Sequence, residues 1–178
     1  MSSYAKIVIR EGQVYSPRYE DIYFNPEDGC AESVYTFLQG NGLPERWRGK
    51  QGFCIAETGF GTGLNFLLTL DAWTRGPARS RTLHYVSIEA YPLQPGHLAK
   101  IHRQWPELET YSQELIAQYP PIPHGNHLLV FAGGRVTLQL LFAEASAALS
   151  AHRIRADCWY LDGFAPSRNP QMWHPEVL

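Results

Sequence analysis

Residues 53–68, with the sequence FCIAETGFGTGLNFLL, combine two regular patterns around a glycine-rich turn. The short apolar run at the start predicts a buried strand, and the apolar residues after position 63 predict a helix. Between the two, glycine recurs at Gly59, Gly61 and Gly63. Glycine lets the backbone approach a ligand closely, and a loop that leads into a helix N-terminus is a common ligand cradle. The stretch therefore predicts a cofactor-binding loop, with a glycine-rich turn that binds nothing as the alternative.

The spacing of these glycines argues against two other kinds of loop. A phosphate-binding P-loop requires lysine directly after its last glycine, but Leu64 follows Gly63. A dinucleotide-binding loop, GxGxxG, would place its third glycine where Leu64 stands. What remains resembles the loop of S-adenosylmethionine (SAM) methyltransferases, in which an acidic residue precedes alternating glycines. SAM carries a cationic sulfonium and an amino-acid tail, so a carboxylate near the loop is favourable. The residues of this pattern are Glu57, Thr58, Gly59, Gly61 and Gly63.

Two further carboxylates follow predicted strands. Glu89 closes the second strand, HYVSIE, where an acidic residue can accept hydrogen bonds from both ribose hydroxyls of a nucleoside cofactor. Since NAD enzymes share this feature, Glu89 indicates a nucleoside without choosing between NAD and SAM. Glu144 follows the strand TLQLLF, where an acidic residue often meets an adenine amino group. A carboxylate near the N-terminus of the next helix is an equal alternative for Glu144.

The order of the predicted elements indicates the fold class and two regions. Strands alternate with helices through residues 51–178, which favours an α/β fold with a parallel, doubly wound sheet. Residues 1–50 form a polar, aromatic-rich lead-in that we expect to pack on this core. The chain stops soon after the fourth main strand, ADCWYLDGF, whereas such sheets usually have more strands. We therefore expect a truncated fold, from a fragment of a longer protein.

The loop CWYLDGFAPSRNPQMW, residues 158–173, has the composition of a reaction site. Asp162 ends an apolar strand, and ligands in such sheets bind beyond the carboxyl ends of the strands. A carboxylate there can orient an amine nucleophile, accept its proton or stabilise the developing charge. Phe164 offers an aromatic face to a cationic donor or a base, and Pro166 stiffens the loop. An Asp-Gly turn for Asp162 and core packing for Phe164 are the alternatives.

Many segments in order resemble one family, the N-terminal methyltransferase domain of the bifunctional tRNA 5-methylaminomethyl-2-thiouridine biosynthesis protein MnmC. The resemblance extends from about position 19 to position 173. It is carried by the segments YEDIYFNPEDG, YTFLQGN, AETGFGTGLNFL, SIEAYPL, QWPEL, GRVTLQLLF and YLDGFAPSRNPQMW. So many separate matches in one order are far more specific than a glycine loop. They imply a Rossmann-like SAM-dependent methyltransferase fold of class I, truncated after the fourth main strand.

The resemblance also implies a reaction and its partners. The family transfers a methyl group from SAM to the aminomethyl group of 5-aminomethyl-(2-thio)uridine at the tRNA wobble position, giving 5-methylaminomethyl-(2-thio)uridine. Bifunctional members carry a C-terminal FAD-dependent oxidoreductase domain, which exposes that amine and is absent from these 178 residues. We therefore expect SAM as the cofactor, tRNA as the substrate, and an FAD-dependent domain in the same full-length chain.

The resemblance assigns roles residue by residue. Asp162 handles the substrate amine, and Phe164 and Pro166 shape its pocket. Trp173 follows the same loop and is, by its position, a candidate contact to a base in that pocket, with core packing as the alternative. Glu89 holds the ribose, and Glu144 is the adenine candidate, although the family often has Asp after Gly where this chain has Ala143-Glu144. A candidate lid over the cofactor is formed by Tyr23, Phe24 and Glu32, for which a structural role is an equal alternative. The remaining cofactor-binding residues are Glu57, Thr58, Gly59, Gly61, Gly63 and, at the helix start, Asn65.

Composition bounds these expectations. The net charge of −2 gives no electrostatic support for nucleic-acid binding, although a local basic patch is compatible with it. Three scattered cysteines fit buried thiols in a reducing compartment. There is no apolar run of membrane-spanning length and no secretory signal pattern, and the histidines lack metal-ligand spacing. We expect a cytoplasmic enzyme that binds neither metal nor membrane.

Two rival functions stay open at the level of sequence. An NAD-dependent Rossmann oxidoreductase shares the acidic residue at Glu89, but Leu64 in place of the third glycine argues against it. A SAM-fold domain without activity, used only for docking, is the second rival. The set of Glu57, Glu89 and Asp162 argues against that reading.

Overall fold

A small antiparallel sheet opens the fold. The structure is a computed structural model of the chain and describes residues 3–77, 79–175 and 177. The first sheet has the order β1-β2-β3, with strands at Val8–Arg10, Gln13–Ser16 and Asp21–Ile22. Helix α1 at Gly29–Ser33 follows and continues into a wider π-helical turn at Val34–Gln39.

The second sheet is the centre of the molecule. Its five strands stand in the order β6-β7-β5-β4-β8. Neighbouring strands among β4, β5, β7 and β8 are parallel, whereas β6 runs antiparallel to β7. The expected parallel, doubly wound arrangement is therefore modified by one antiparallel edge strand. In chain order the strands are β4 at Gly52–Thr58, β5 at Thr82–Ile88, β6 at Gly125–Phe131, β7 at Val136–Phe142 and β8 at Cys158–Leu161.

Helices cover both faces of this sheet. Helices α2, α3, α4 and α5 are at Leu64–Arg75, Pro95–His102, Glu109–Gln118 and Ala145–Ala151. Along β5, Leu83 and Tyr85 pack into the larger apolar cluster with residues of α2 and α4. Val86 and Ile88 point to the other face and pack with residues of α5. The alternation follows from the two-residue period of a strand, and a sheet covered on both faces accounts for the continuous apolar runs in the sequence.

The strand order places a crevice at the carboxyl ends of the central strands. From β4 the chain proceeds outward to β5 and β7, and then returns to the other side of β4 to form β8. The carboxyl ends of β4 and β8 thus stand on either side of the point where the winding direction reverses, which is where open α/β sheets bind ligands. The division at residue 50 stays a prediction, although the first sheet is separate from the central one.

Candidate active site

A cleft of about 1180 Å³ opens at the carboxyl ends of the central strands. This volume lies slightly above the range of about 300–1,000 Å³ usual for small-molecule sites. Seven of the residues predicted from the sequence line it, and they come from five separate parts of the chain: Tyr23, Gly59, Gly61, Glu89, Glu144, Asp162 and Phe164.

The glycine loop is shaped by backbone that only glycine adopts easily. Gly59, Gly61 and Gly63 all have positive φ angles, of 84°, 53° and 76°. A Cβ atom at Gly59 would lie 2.9 Å from the carbonyl oxygen of Asp162, which is too close for any real contact. The loop therefore meets the backbone after β8 directly, and the glycines serve the packing of the site as well as access to the cleft.

Glu89 stands where a ribose-binding carboxylate is expected. Its Oε2 accepts a hydrogen bond of 2.9 Å from the Gly61 N–H, and its Oε1 accepts one of 2.8 Å from the Tyr91 N–H. Burial raises the pKa of this carboxyl, an effect that the backbone N–H groups of Gly61, Tyr91 and Ala90 oppose. A carboxylate has about four acceptor positions, so Glu89 still has room to accept from a ligand hydroxyl in the cleft.

Glu57 lies beneath the loop rather than in the cleft. Its side chain, only 1% exposed, accepts hydrogen bonds from Ser87 Oγ at 2.6 Å and from Asn65 Nδ2 at 3.0 Å. Burial, reinforced by the nearby Asp162, raises the pKa of Glu57 to about 8. Thr58, Gly63 and Asn65 were also predicted to bind the cofactor, but they do not line the cleft. They support the residues that form it.

Asp162 is the acidic residue directly after the carboxyl end of β8. Its carboxylate accepts hydrogen bonds of 2.7 Å from both the Gly163 N–H and Asn65 Nδ2, and Thr58 Oγ1 donates to its backbone carbonyl at 3.1 Å. Burial raises the pKa of Asp162 to about 6, and those two donors hold it down. At neutral pH the carboxyl is mostly ionised, with a pKa close enough to 7 to accept a proton.

An aromatic wall joins the lead-in to the reaction loop. The Tyr19 ring stacks on Phe164 with 4.4 Å between centroids, and Tyr23 meets the same ring edge-on at 5.0 Å. The Asp21 carboxylate accepts the Ala165 N–H at 3.2 Å. The segment between β2 and β3 is thus tied across the cleft to the loop after β8. We call residues 16–23 the strap.

Arg18 lines the part of the cleft that Tyr91 and Glu144 also line. Its guanidinium lies 3.9 Å from the centroid of the Tyr91 ring and donates to the Tyr91 hydroxyl at 2.7 Å. The Tyr91 hydroxyl in turn donates to Glu144 Oε1 at 3.1 Å. Glu144 is exposed at the start of α5 and its carboxylate faces the cleft together with Tyr91.

Other residues predicted from the sequence lie away from the cleft in this structure. Phe24 packs on Trp105 with 5.0 Å between centroids, and Glu32 is exposed on α1. Trp173 donates its indole N–H to the Phe164 carbonyl at 3.0 Å, and Pro166 is exposed on the same loop. Trp173 therefore supports the loop, while Tyr23 is the lid candidate that faces the cavity.

Three residues of the site region were missed at the level of sequence. Tyr19 and Arg18 lie in the lead-in, for which the sequence analysis expected only packing on the core, and their distant partners are set by tertiary contact. His102 is buried on α3; its Nε2 donates to the Thr62 carbonyl at 2.7 Å, and its Nδ1 lies 2.8 Å from Ser112 Oγ. The histidine supports the glycine loop through the Thr62 carbonyl, and no local sequence pattern predicts such a contact.

The described residues were also searched for a membrane-spanning helix and for a metal-binding cluster. No helix among them has both the length and the apolar character to cross a membrane. Within the same ranges, no group of three or more His, Cys, Asp and Glu side chains is placed to hold a metal ion.

Comparison with known proteins agrees with this geometry. Residues 106–178 match the model of a family described as S-adenosyl-L-methionine-dependent methyltransferase. The crystal structure of MNMC2 from Aquifex aeolicus superimposes with a TM-score of 0.66 at 21% identity, covering 96% of this chain and 53% of that one. The fold is therefore Rossmann-like, as the sequence predicted, and residues 106–178 are similar to SAM-dependent methyltransferases.

Curated relatives carry the comparison further. The tRNA 5-methylaminomethyl-2-thiouridine biosynthesis bifunctional protein MnmC of Cupriavidus necator is 48% identical over 172 residues, 97% of this chain and 26% of that protein. The protein of the same name from Thiobacillus denitrificans is 44% identical over 174 residues, 98% of this chain and 28% of that protein. The chain is a homologue of the MnmC proteins, which confirms the predicted resemblance, and it spans about a quarter of their length.

Proposed function

We propose that this chain is the part of an MnmC-type protein that methylates the aminomethyl group of 5-aminomethyl-(2-thio)uridine at the tRNA wobble position, with SAM as the donor. One observation carries the proposal: Asp162, at the end of β8, stands beside Gly59 of the glycine loop, with Glu89 lining the same cleft. The cofactor end and the amine-handling end of the predicted site are therefore contiguous.

The residues of the cleft fit SAM in their chemistry. Glu89 has room to accept from a ribose hydroxyl, and Glu144 with Tyr91 offers polar groups to an adenine. Gly59 and Gly61 line the same cleft and add no side chain of their own to its wall. When bound, SAM supplies an electrophilic methyl group whose C–S bond breaks with both electrons moving to sulfur.

Asp162 and the aromatic wall would serve the substrate. An amine attacks only in its neutral form, so the Asp162 carboxylate would orient the amine and accept a proton from the ammonium formed when the new N–C bond is made. Phe164, stacked on Tyr19 and met edge-on by Tyr23, presents aromatic surface on which a pyrimidine base can lie. The strap would then exclude water from the reacting groups.

Partners and location follow from the same proposal. We propose tRNA as the macromolecular substrate and, in the full-length protein, an FAD-dependent oxidoreductase domain that generates the amine. A tRNA-modifying enzyme of this kind acts in the cytoplasm. The greater length of the MnmC relatives supports a further domain in such proteins.

A calorimetric titration of SAM, with NAD as the competing ligand, tests the cofactor. We expect SAM to bind, NAD to give no heat, and Glu89→Ala to lose at least about tenfold in affinity, since two hydrogen bonds to a charged group disappear. Glu114→Ala, an exposed glutamate on α4, is the matched control and should bind like the wild type.

Transfer of labelled methyl groups to tRNA that carries 5-aminomethyl-2-thiouridine tests the reaction. Asp162→Asn should lower kcat by about 10²–10⁴-fold, the usual contribution of a general base, with little change in SAM affinity. NAD binding in place of SAM, or SAM binding without any transfer to this tRNA, would contradict the proposal.

A further inference from the structure

Asn65 occupies the junction between the two acidic residues of the site. Its Nδ2 atom donates to Glu57 Oε1 at 3.0 Å and to Asp162 Oδ2 at 2.7 Å. A side-chain amide nitrogen has two N–H bonds, and here each of them serves a different carboxyl group. Its Oδ1 accepts a hydrogen bond from Ser33 Oγ, so the donors of the amide and its acceptor all have partners.

One end of this chain of hydrogen bonds is fixed in the core. Glu57 lies on β4, is almost fully buried, and is held from the neighbouring strand by Ser87 Oγ. Asn65 itself is 6% exposed and belongs to the first turn of α2. The amide therefore sits on rigid elements and has little freedom to rotate.

The other end is the carboxylate that faces the cleft. Besides Asn65, the donor to the Asp162 side chain is the N–H of Gly163, which belongs to the same turn and moves with it. Asn65 is thus the contact that ties the orientation of Asp162 to the sheet and to α2. A loop carboxylate without such an anchor would sample several rotamers.

The chemistry of the position calls for asparagine. Two carboxyl groups face it, and both present acceptors, so the residue between them must donate twice. Aspartate, when ionised, offers acceptors only, and would place a second negative charge beside Asp162. Leucine has a similar size and donates nothing.

We propose that Asn65 is a positioning residue that aims the Asp162 carboxylate into the cleft by linking it to the buried Glu57. Its part in catalysis rests on the methyl transfer proposed above, whereas the link itself is a property of the folded chain. The sequence placed Asn65 among the cofactor contacts; in the structure it holds the group that would receive the substrate amine.

The electrostatic surroundings of Asp162 determine what the loss of this amide would do. The acidic groups facing Asp162 are Glu57 on β4, Glu89 after β5 and Glu32 on α1, with the Tyr85 hydroxyl also close. Glu89 and Glu32 disfavour the negative charge of Asp162, whereas the side-chain N–H of Asn65 favours it. Glu57, with a pKa of about 8, is largely protonated over the pH range in which Asp162 titrates. Removing this donor should therefore make Asp162 harder to ionise.

A carboxyl ¹³C NMR titration of the chain, labelled at aspartate and assigned with Asp162→Asn, measures this link without substrate. We expect the titration midpoint of Asp162 to rise by about one pH unit in Asn65→Leu and further in Asn65→Asp, as expected when a donor is lost and a like charge is gained. Asn126→Asp, an exposed asparagine on β6, makes the same charge change far from the site and should leave the midpoint unchanged.

Ser33→Ala keeps the proposal testable if the Asn65 variants fail to fold. It removes the hydroxyl that fixes the Asn65 amide oxygen, so a smaller rise of the same sign is expected. In the methylation assay, Asn65→Leu should lower kcat while the Kd for SAM stays within about threefold, the scale of a contact that does not touch the ligand.

The outcomes separate the two proposals. An unchanged Asp162 midpoint in both Asn65→Leu and Ser33→Ala overturns the positioning role, even when the wild type methylates tRNA. A midpoint that rises as expected, in a chain that neither binds SAM nor transfers methyl groups, supports the link and rejects the proposed function.

Discussion

The backbone carbonyl of Asp162 lies 2.9 Å from the point that a Cβ atom would occupy at Gly59. At this point the glycine loop and the loop after β8 therefore touch backbone to backbone. Since backbone cannot move aside like the end of a flexible side chain, the contact fixes the distance between the cofactor loop and Asp162.

Gly59→Ala should damage both stability and SAM binding. Alanine at a φ of 84° costs about 1–2 kcal/mol by itself, and the clash with Asp162 adds to this. Gly134→Ala is the matched control, since its φ is 87° and it has open space around the added methyl group. Urea unfolding should show a clearly larger loss for Gly59→Ala, and equal losses would mean that the contact with Asp162 has no influence on stability.

The buried Glu57 predicts how stability changes with pH. Its pKa in the folded chain is about 8, against about 4.3 for a free glutamate, so the folded chain binds more protons than the unfolded chain between these values. The contribution of Glu57 to stability is therefore fully present below about pH 4 and falls as the pH rises towards 8.

Glu57→Gln should remove this dependence and raise the free energy of unfolding at pH 8, by up to a few kcal/mol. The amide is neutral at all pH values, and the Ser87 hydroxyl can turn to accept from it. Urea unfolding at pH 6 and pH 8 measures the difference, with Glu114→Gln as the exposed control. A difference between the two pH values as large in Glu57→Gln as in the wild type would contradict this prediction.

The sequence predicted which loops form the site, because local sequence patterns mark each of these loops. The glycine loop, the acidic residue after β5 and the aspartate after β8 each follow an apolar strand, and parallel strands bring their carboxyl ends to one edge. The depth of Glu57 could not be predicted, because a carboxylate next to a glycine loop has the same sequence pattern whether it faces the cleft or the core. Tyr19 and Arg18 were missed because their partners lie more than seventy residues away along the chain.

The stack of Tyr19 on Phe164 should govern how well the strap closes over the substrate. Aromatic pairs contribute about 0.5–1.5 kcal/mol beyond their buried area, so Tyr19→Ala should raise the KM for tRNA by roughly two- to tenfold. The Kd for SAM should change less, because Glu89 and the glycine loop remain intact. Tyr35→Ala, which truncates a ring that is 73% exposed, serves as the control. An unchanged KM in Tyr19→Ala would separate the strap from substrate binding.

His102 supports the cofactor loop from behind, and its removal should weaken SAM binding without any contact to the ligand. The imidazole donates through Nε2 to the Thr62 carbonyl and lies against Ser112. In His102→Ala the buried Thr62 carbonyl loses its hydrogen-bond donor, which lowers the stability of the loop conformation by about 1–3 kcal/mol. Calorimetry should show weaker binding of SAM, while His124→Ala, in an exposed loop, should match the wild type.

The same histidine gives a pH dependence opposite in sign to that of Glu57. Burial lowers the pKa of His102 in the folded chain, so the unfolded chain binds more protons once the pH falls below about 6.5. The stability linked to His102 is therefore fully present above pH 6.5 and is lost as the pH falls towards the folded-state pKa. His102→Gln, whose amide can still donate to Thr62, should unfold with less sensitivity to acid between pH 6.5 and pH 5. A wild type whose stability loss over this interval equals that of His102→Gln would show that the imidazole titrates equally in both states, and would contradict this prediction.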